Sequence, residues 1–161
     1  MDRANLPHLE PIFALLVGID QYQASDELPT LNGAVNDAKL FAKYLTDSLE
    51  SGGLQVPSSH IELLVNEKAT RTAILSTFDS HFLNNPLIPD HGKAAMIFLF
   101  AGHGSRIASP GNLLAPDGKV EVVCPVDERT VDADGHRVHA IPDYLLAQKL
   151  YHLAMKKGNN I

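Results

Sequence analysis

The residues best suited to chemistry are Gly102-His103-Gly104-Ser105, which follow directly on the apolar run Ala94-Ala95-Met96-Ile97-Phe98-Leu99-Phe100-Ala101. An imidazole titrates near neutral pH, so it can take and give a proton in a reaction. Flanking glycines let the backbone turn sharply and approach a substrate closely. In open α/β sheets ligands bind beyond the carboxyl ends of the strands, and His103 stands at such an end. Residue types alone also allow an ordinary loop histidine here.

Other groups carry weaker signals. Cys124, the single cysteine, lies in Val122-Val123-Cys124-Pro125 and reads as a buried apolar thiol. Asp132-Ala133-Asp134-Gly135 suggests a calcium loop but lacks the remaining ligand spacing of an EF-hand, so a solvated turn is expected. His136 and His139 with Cys124 match no closed set of four zinc ligands. No Walker loop and no Gly-x-Gly-x-x-Gly follows an apolar run, so nucleotide binding has no support. A Gly-x-Ser-x-Gly elbow is also missing, which argues against an α/β-hydrolase with an oxyanion loop at His103.

The elements that must hold His103 alternate. Phe13–Ile19 is apolar on both alternating faces and reads as a buried strand. Ala34, Ala38, Phe41 and Leu45 recur at helical spacing, with Asn32 as a possible N-cap and Gly52-Gly53 beyond the end. Ile61–Val65 reads as a second strand. Thr70 opens a second helix with Ile74, Phe78 and Phe82 on one stripe, stopped by Asn84-Asn85-Pro86. Ala94–Ala101 is the best central-strand candidate. A loop is expected over residues 102–119, a short strand over Val120–Pro125 and a polar, turn-rich stretch over 127–140.

Pro142 suits the first turn of a third helix, whose stripe is Leu146, Leu150 and Leu153. Lys156 and Lys157 suit its last turn and Gly158 its C′ position. Strand–helix alternation of this kind predicts an α/β fold: an open, mostly parallel sheet with helices on both faces. Residues 1–11 read as a flexible arm and 12–161 as one domain.

Composition excludes several classes. A hydrophobic fraction of 45% against 20% charged is that of a globular chain with a core. A net charge of −6 gives no electrostatic footprint for nucleic acid. No apolar run approaches the ~20 residues needed to cross a membrane, and the first residues lack a signal-peptide core. One cysteine permits no internal disulfide, and a cytoplasmic setting is expected.

Six segments, in order, resemble the caspase and metacaspase family of cysteine peptidases. Phe98-Leu99-Phe100-Ala101-Gly102-His103-Gly104-Ser105 is similar to its histidine motif. Leu15-Leu16-Val17-Gly18-Ile19-Asp20-Gln21-Tyr22 resembles its first strand and the loop after it. Leu31-Asn32-Gly33-Ala34-Val35-Asn36-Asp37-Ala38 resembles the start of its first helix, in the metacaspase style. Asn66-Glu67-Lys68-Ala69-Thr70-Arg71, Val122-Val123-Cys124-Pro125-Val126-Asp127 and Ile141-Pro142-Asp143 resemble later junctions.

The resemblance implies a caspase-like three-layer fold and a Cys–His dyad. It makes His103 the catalytic histidine and the Gly104 N–H an oxyanion-hole donor. The nucleophile of the family has no counterpart in Cys124. It is expected on a further strand, of which Asn159-Asn160-Ile161 looks like the entrance. The 161 residues are thus expected to be a truncated and inactive domain, with an apolar sheet edge open to self-association.

Aspartate-specific caspases carry an arginine before the first helix. Here that segment is Leu31-Asn32-Gly33, and the metacaspase preference for Arg or Lys at P1 is implied instead, with Asp37 as a substrate-pocket acid. No cofactor is expected. Calcium dependence of the metacaspase kind would make Glu121 and Asp143 candidate ligands. A peptide or protein substrate is the expected partner. A regulatory, non-enzymatic caspase-like subunit is the competing reading.

Overall fold

The computed structural model describes residues 10–109, 111 and 117–161. Residues 1–9 of the expected arm, and part of the expected loop over 102–119, lie outside them. The elements are β1 (Ile12–Gly18), α1 (Ala34–Thr46), β2 (Ile61–Val65), α2 (Arg71–Phe78), β3 (Ala95–Ala101), β4 (Gly104–Ala108), β5 (Lys119–Val123), β6 (Ile141–Pro142) and α3 (Asp143–Lys157).

β1, β2 and β3 form a parallel sheet in the order β2-β1-β3. Its centre is β1, whose residues Phe13 to Val17 are at most 1% exposed. Alternation along this one strand builds two cores. Phe13, Leu15 and Val17 pack with Ile74, Phe78, Phe82 and Leu153, on the side of α2 and α3. Ala14 and Leu16 pack with Leu45, Phe41 and Val56, on the side of α1. Helices therefore cover both faces, as the strand–helix alternation implied. Gly18 is needed where α1 crosses the strand end, because a Cβ there would lie 2.8 Å from both the Ala34 carbonyl and the Ala38 methyl.

β3, the expected central strand, pairs with β1 on one side only. On its other side the Met96 N–H donates to Asn160 O at 2.9 Å, so the residues after α3 begin to pair along that edge. Six of its seven residues are only partly buried, against one of seven in β1.

The helix ends show where local reading holds. Thr70 caps α2 as expected, accepting the Ala73 N–H at 3.1 Å. α1 is capped differently. Gly33 takes the N-cap position with no side-chain bond, and Asp20, from the end of β1, accepts the Ala34 N–H at 2.8 Å. Asn66, at the end of β2, accepts the N–H groups of Asp20 and Gln21. One polar network thus ties together the carboxyl ends of β1 and β2 and the start of α1. Pro142 is the extended N-cap of α3 rather than part of its first turn. Lys157 lies in the last turn of α3, as expected; it is 5% exposed, and its Nζ donates to the Ile88 carbonyl and pairs with Asp90.

The chain then leaves the parallel sheet. β4, β5 and β6 form a second, antiparallel sheet in that order. Part of the expected loop after His103 is therefore a strand.

The core also holds a titrating group. His81 is 7% exposed, and its Nε2 donates to the His60 carbonyl at 3.0 Å. Burial, the largest cause, pulls its pKa below the ordinary 6.5, with Glu62 opposing. The folded chain then binds the proton less readily than the unfolded one. Stability is fully present above about pH 6.5 and falls as pH drops from there toward the lowered folded value. Thermal melts between pH 8 and 5 should show this slope, and His81→Gln should flatten it.

Candidate active site

β3 delivers the chain to the candidate histidine. Register pairs Gly18 at the end of β1 with Ala101 at the end of β3, so both strands finish at one level. Gly102 follows, and His103 sits half-buried at the turn into β4. Its Nε2 lies 2.7 Å from the Pro29 carbonyl oxygen, in the loop between β1 and α1. A carbonyl only accepts, so the ring carries its proton on Nε2 and keeps the Nδ1 lone pair free in the neutral form. The orientation of the ring is thus tied to a backbone carbonyl from another loop.

Two ladder bonds fix what the next residue does. The Cys124 N–H donates to His103 O at 2.9 Å, and the Ser109 N–H donates to Gly118 O at 2.8 Å. Between them, antiparallel pairs alternate between bonded and non-bonded. Gly104, opposite Val123, falls on a non-bonded position, so its N–H is directed away from β5, on the open edge of the sheet. A Cβ at Gly104 would be 3.5 Å from the Val122 carbonyl, an ordinary contact, so packing does not demand glycine there.

The loop carrying Pro29 is held in place. The Leu31 N–H donates to Asp20 O, and the Gln23 N–H donates to Val126 O. Arg129 bonds Glu27 at 2.7 Å and approaches Glu128 at 3.6 Å. Arg129 adopts φ of 68°, a left-handed conformation that is uncommon for a side chain of its size. Asp37 lies in the first turn of α1 and is exposed. That turn meets the carboxyl end of β1 at Gly18, placing Asp37 at the same end of the sheet as His103.

Cys124 is 0% exposed. Burial, and then the hydrogen bond to and charge of Glu128, push its thiol up to about 12. It is a neutral, weakly nucleophilic sulfur at physiological pH. The imagined zinc set is not assembled, since His136 and His139 are exposed while Cys124 is sealed. Asp132, Asp134 and His136 do converge. The Asp132 carboxylate already accepts the N–H groups of Asp134 and His136, which is the bonding of a solvated turn. Glu121 lies on β5 opposite Arg106, and Asp143 accepts the N–H of Tyr144 at the start of α3. Neither belongs to that cluster.

Sequence reasoning missed Pro29 and Tyr22. Tyr22 is 5% exposed, and its hydroxyl accepts the backbone N–H of His103 at 2.7 Å. A backbone carbonyl has no residue-type signal at all. The tyrosine stood inside a recognised segment but offered no chemistry of its own. Among the described residues, no helix is long and apolar enough to cross a membrane.

Comparison with known proteins agrees with this architecture. The crystal structure of protein GSU0716 from Geobacter sulfurreducens aligns with a TM-score of 0.60 and 16% identity, over 89% of this chain and 45% of that one. The likeness is one of fold, and the chain spans less than half of that protein's length. No curated protein sequence matches. A model of the caspase domain family matches residues 12–153, a span that runs from the start of β1 through most of α3 and includes the His103 turn. A match over that much of the molecule makes this chain a member of the caspase domain family.

Proposed function

We propose that this domain supplies the histidine half of a Cys–His endopeptidase that cleaves after Arg or Lys. The observation that carries the reading is the 2.7 Å contact from His103 Nε2 to the Pro29 carbonyl, which leaves Nδ1 free to exchange a proton. In the reaction, Nδ1 takes the proton of a cysteine thiol. The thiolate attacks the scissile carbonyl carbon, and the Gly104 N–H helps hold the oxyanion. The imidazolium returns its proton to the leaving amine. Water, deprotonated at Nδ1, then releases the acyl group. Asp37 receives the P1 cation.

Cys124 is unsuited to be the nucleophile, because it is buried and its thiol is hard to ionise. The reading places the nucleophile on a strand added beside β3, along the edge where Met96 already bonds Asn160. The 161 residues alone are then inactive. That same edge is open to self-association, which sedimentation of the isolated chain should reveal as concentration-dependent dimers or larger species. The regulatory, non-enzymatic reading draws on the sealed cysteine.

Fluorogenic peptides with Arg or Lys at P1 separate these readings. The 161-residue chain should leave them intact, and the chain joined to a cysteine-bearing strand beside β3 should cleave them. No cleavage by the joined chain would favour the regulatory reading. Cleavage by the 161 residues that Cys124→Ala abolishes would overturn the assignment of the thiol.

A further inference from the structure

We infer that Tyr22 is the positioning residue of the His103 turn, its hydroxyl holding the His103 N–H outside the β4–β5 ladder and so, together with the Pro29 carbonyl, setting where the ring points. The inference deepens the proposed peptidase reading and rests on His103 being its histidine. In an antiparallel bonded pair the two residues exchange both N–H···O bonds. His103 and Cys124 make only one of those: Cys124 donates to His103 O at 2.9 Å, while the His103 N–H goes to the Tyr22 hydroxyl at 2.7 Å. That hydroxyl comes from the loop after β1, at the point where the chain passes from the parallel sheet into the antiparallel one.

Gly102 is shaped to the same oxygen. A Cβ at that position would lie 2.7 Å from the Tyr22 hydroxyl and 3.1 Å from the Phe100 ring. The phenol therefore fills the space that a side chain at 102 would take. The rings of Tyr22 and His103 are 5.0 Å apart at 47°. The Gln23 N–H, bonded to Val126 O, anchors the tyrosine backbone against the segment that follows Cys124. Burial pushes the phenol up to about 12, so the oxygen stays protonated and its role does not vary across physiological pH. Phenylalanine would fill the same apolar volume but leave a donor without its acceptor.

Nuclear magnetic resonance on the 161-residue chain tests this without any need for catalysis. Long-range ¹H–¹⁵N spectra report the His103 tautomer, and amide exchange reports its N–H. In Tyr22→Phe the His103 amide should exchange roughly five- to tenfold faster, as the loss of one net hydrogen bond implies. The ring should also move from a single Nε2–H form toward a mixture of tautomers, while the amides of Leu15 and Leu16 keep their protection. Should that variant fail to fold, Gly102→Ala should displace the hydroxyl and give the same local signature. Unchanged His103 amide and ring signals would overturn the inference, as would a loss of protection shared equally by Leu15 and Leu16. Loss of the peptidase reading would show in turnover instead, so the two failures are distinguishable.

Discussion

Replacing His103 by alanine in a chain that also carries the nucleophile should lower kcat/KM by at least roughly 10² to 10⁴, with the fold intact. Loss of nucleophile activation adds to that figure. Both backbone bonds of His103, to Tyr22 and from Cys124, survive the change, because they use main-chain atoms. The ring itself gives up its bond to Pro29 and its contact with Tyr22. Steady-state kinetics beside circular dichroism would check this. A His103→Ala protein that keeps most of its turnover would remove the histidine from the dyad.

Asp37→Ala should separate binding from folding. As a first-turn acid of α1, the carboxylate stabilises the helix by about 0.3–1 kcal/mol at most. As the proposed partner of a P1 guanidinium it would do far more. A charged hydrogen-bonding group left without its partner costs about 1.5–3 kcal/mol, or roughly tenfold to a hundredfold in kcat/KM. The loss should fall on Arg and Lys substrates and spare the melting temperature. An equal loss at every P1 residue would make Asp37 a structural acid. A preference for Asp at P1 would refute the metacaspase-like specificity.

The sequence was legible where signals are local or repeat along an element. Ile61–Val65 and the Thr70 cap appear where the pattern puts them, and Ile74, Phe78 and Phe82 are each 1% exposed. β4 escaped because it lies on an open edge: four of its five residues are exposed, so no alternation of burial was written into it. The cap of α1 escaped because Asp20 reaches it from another element, and a search confined to adjacent residues finds Asn32 instead. Lys157 followed the dipole argument to the right turn but not to its partners, which sit in the loop before β3. The apolarity of Ala94–Ala101 suggests a central strand, although β1 holds that place.

The candidate site divides along the same line. His103 and its glycines are conspicuous by type. The groups that orient them are a proline carbonyl and a tyrosine hydroxyl, brought in from the loop after β1. Their roles exist only once β1 and β3 lie side by side.

In the proposed dyad His103 serves a thiolate other than Cys124. An irreversible peptidyl ketone with Arg at P1, applied to the chain joined to a cysteine-bearing strand beside β3, tells the two sulfurs apart. Peptide mapping should find the adduct on the cysteine of that strand. Labelling should collapse in His103→Ala and persist in Cys124→Ala. An adduct on Cys124, or labelling indifferent to His103, would overturn the dyad.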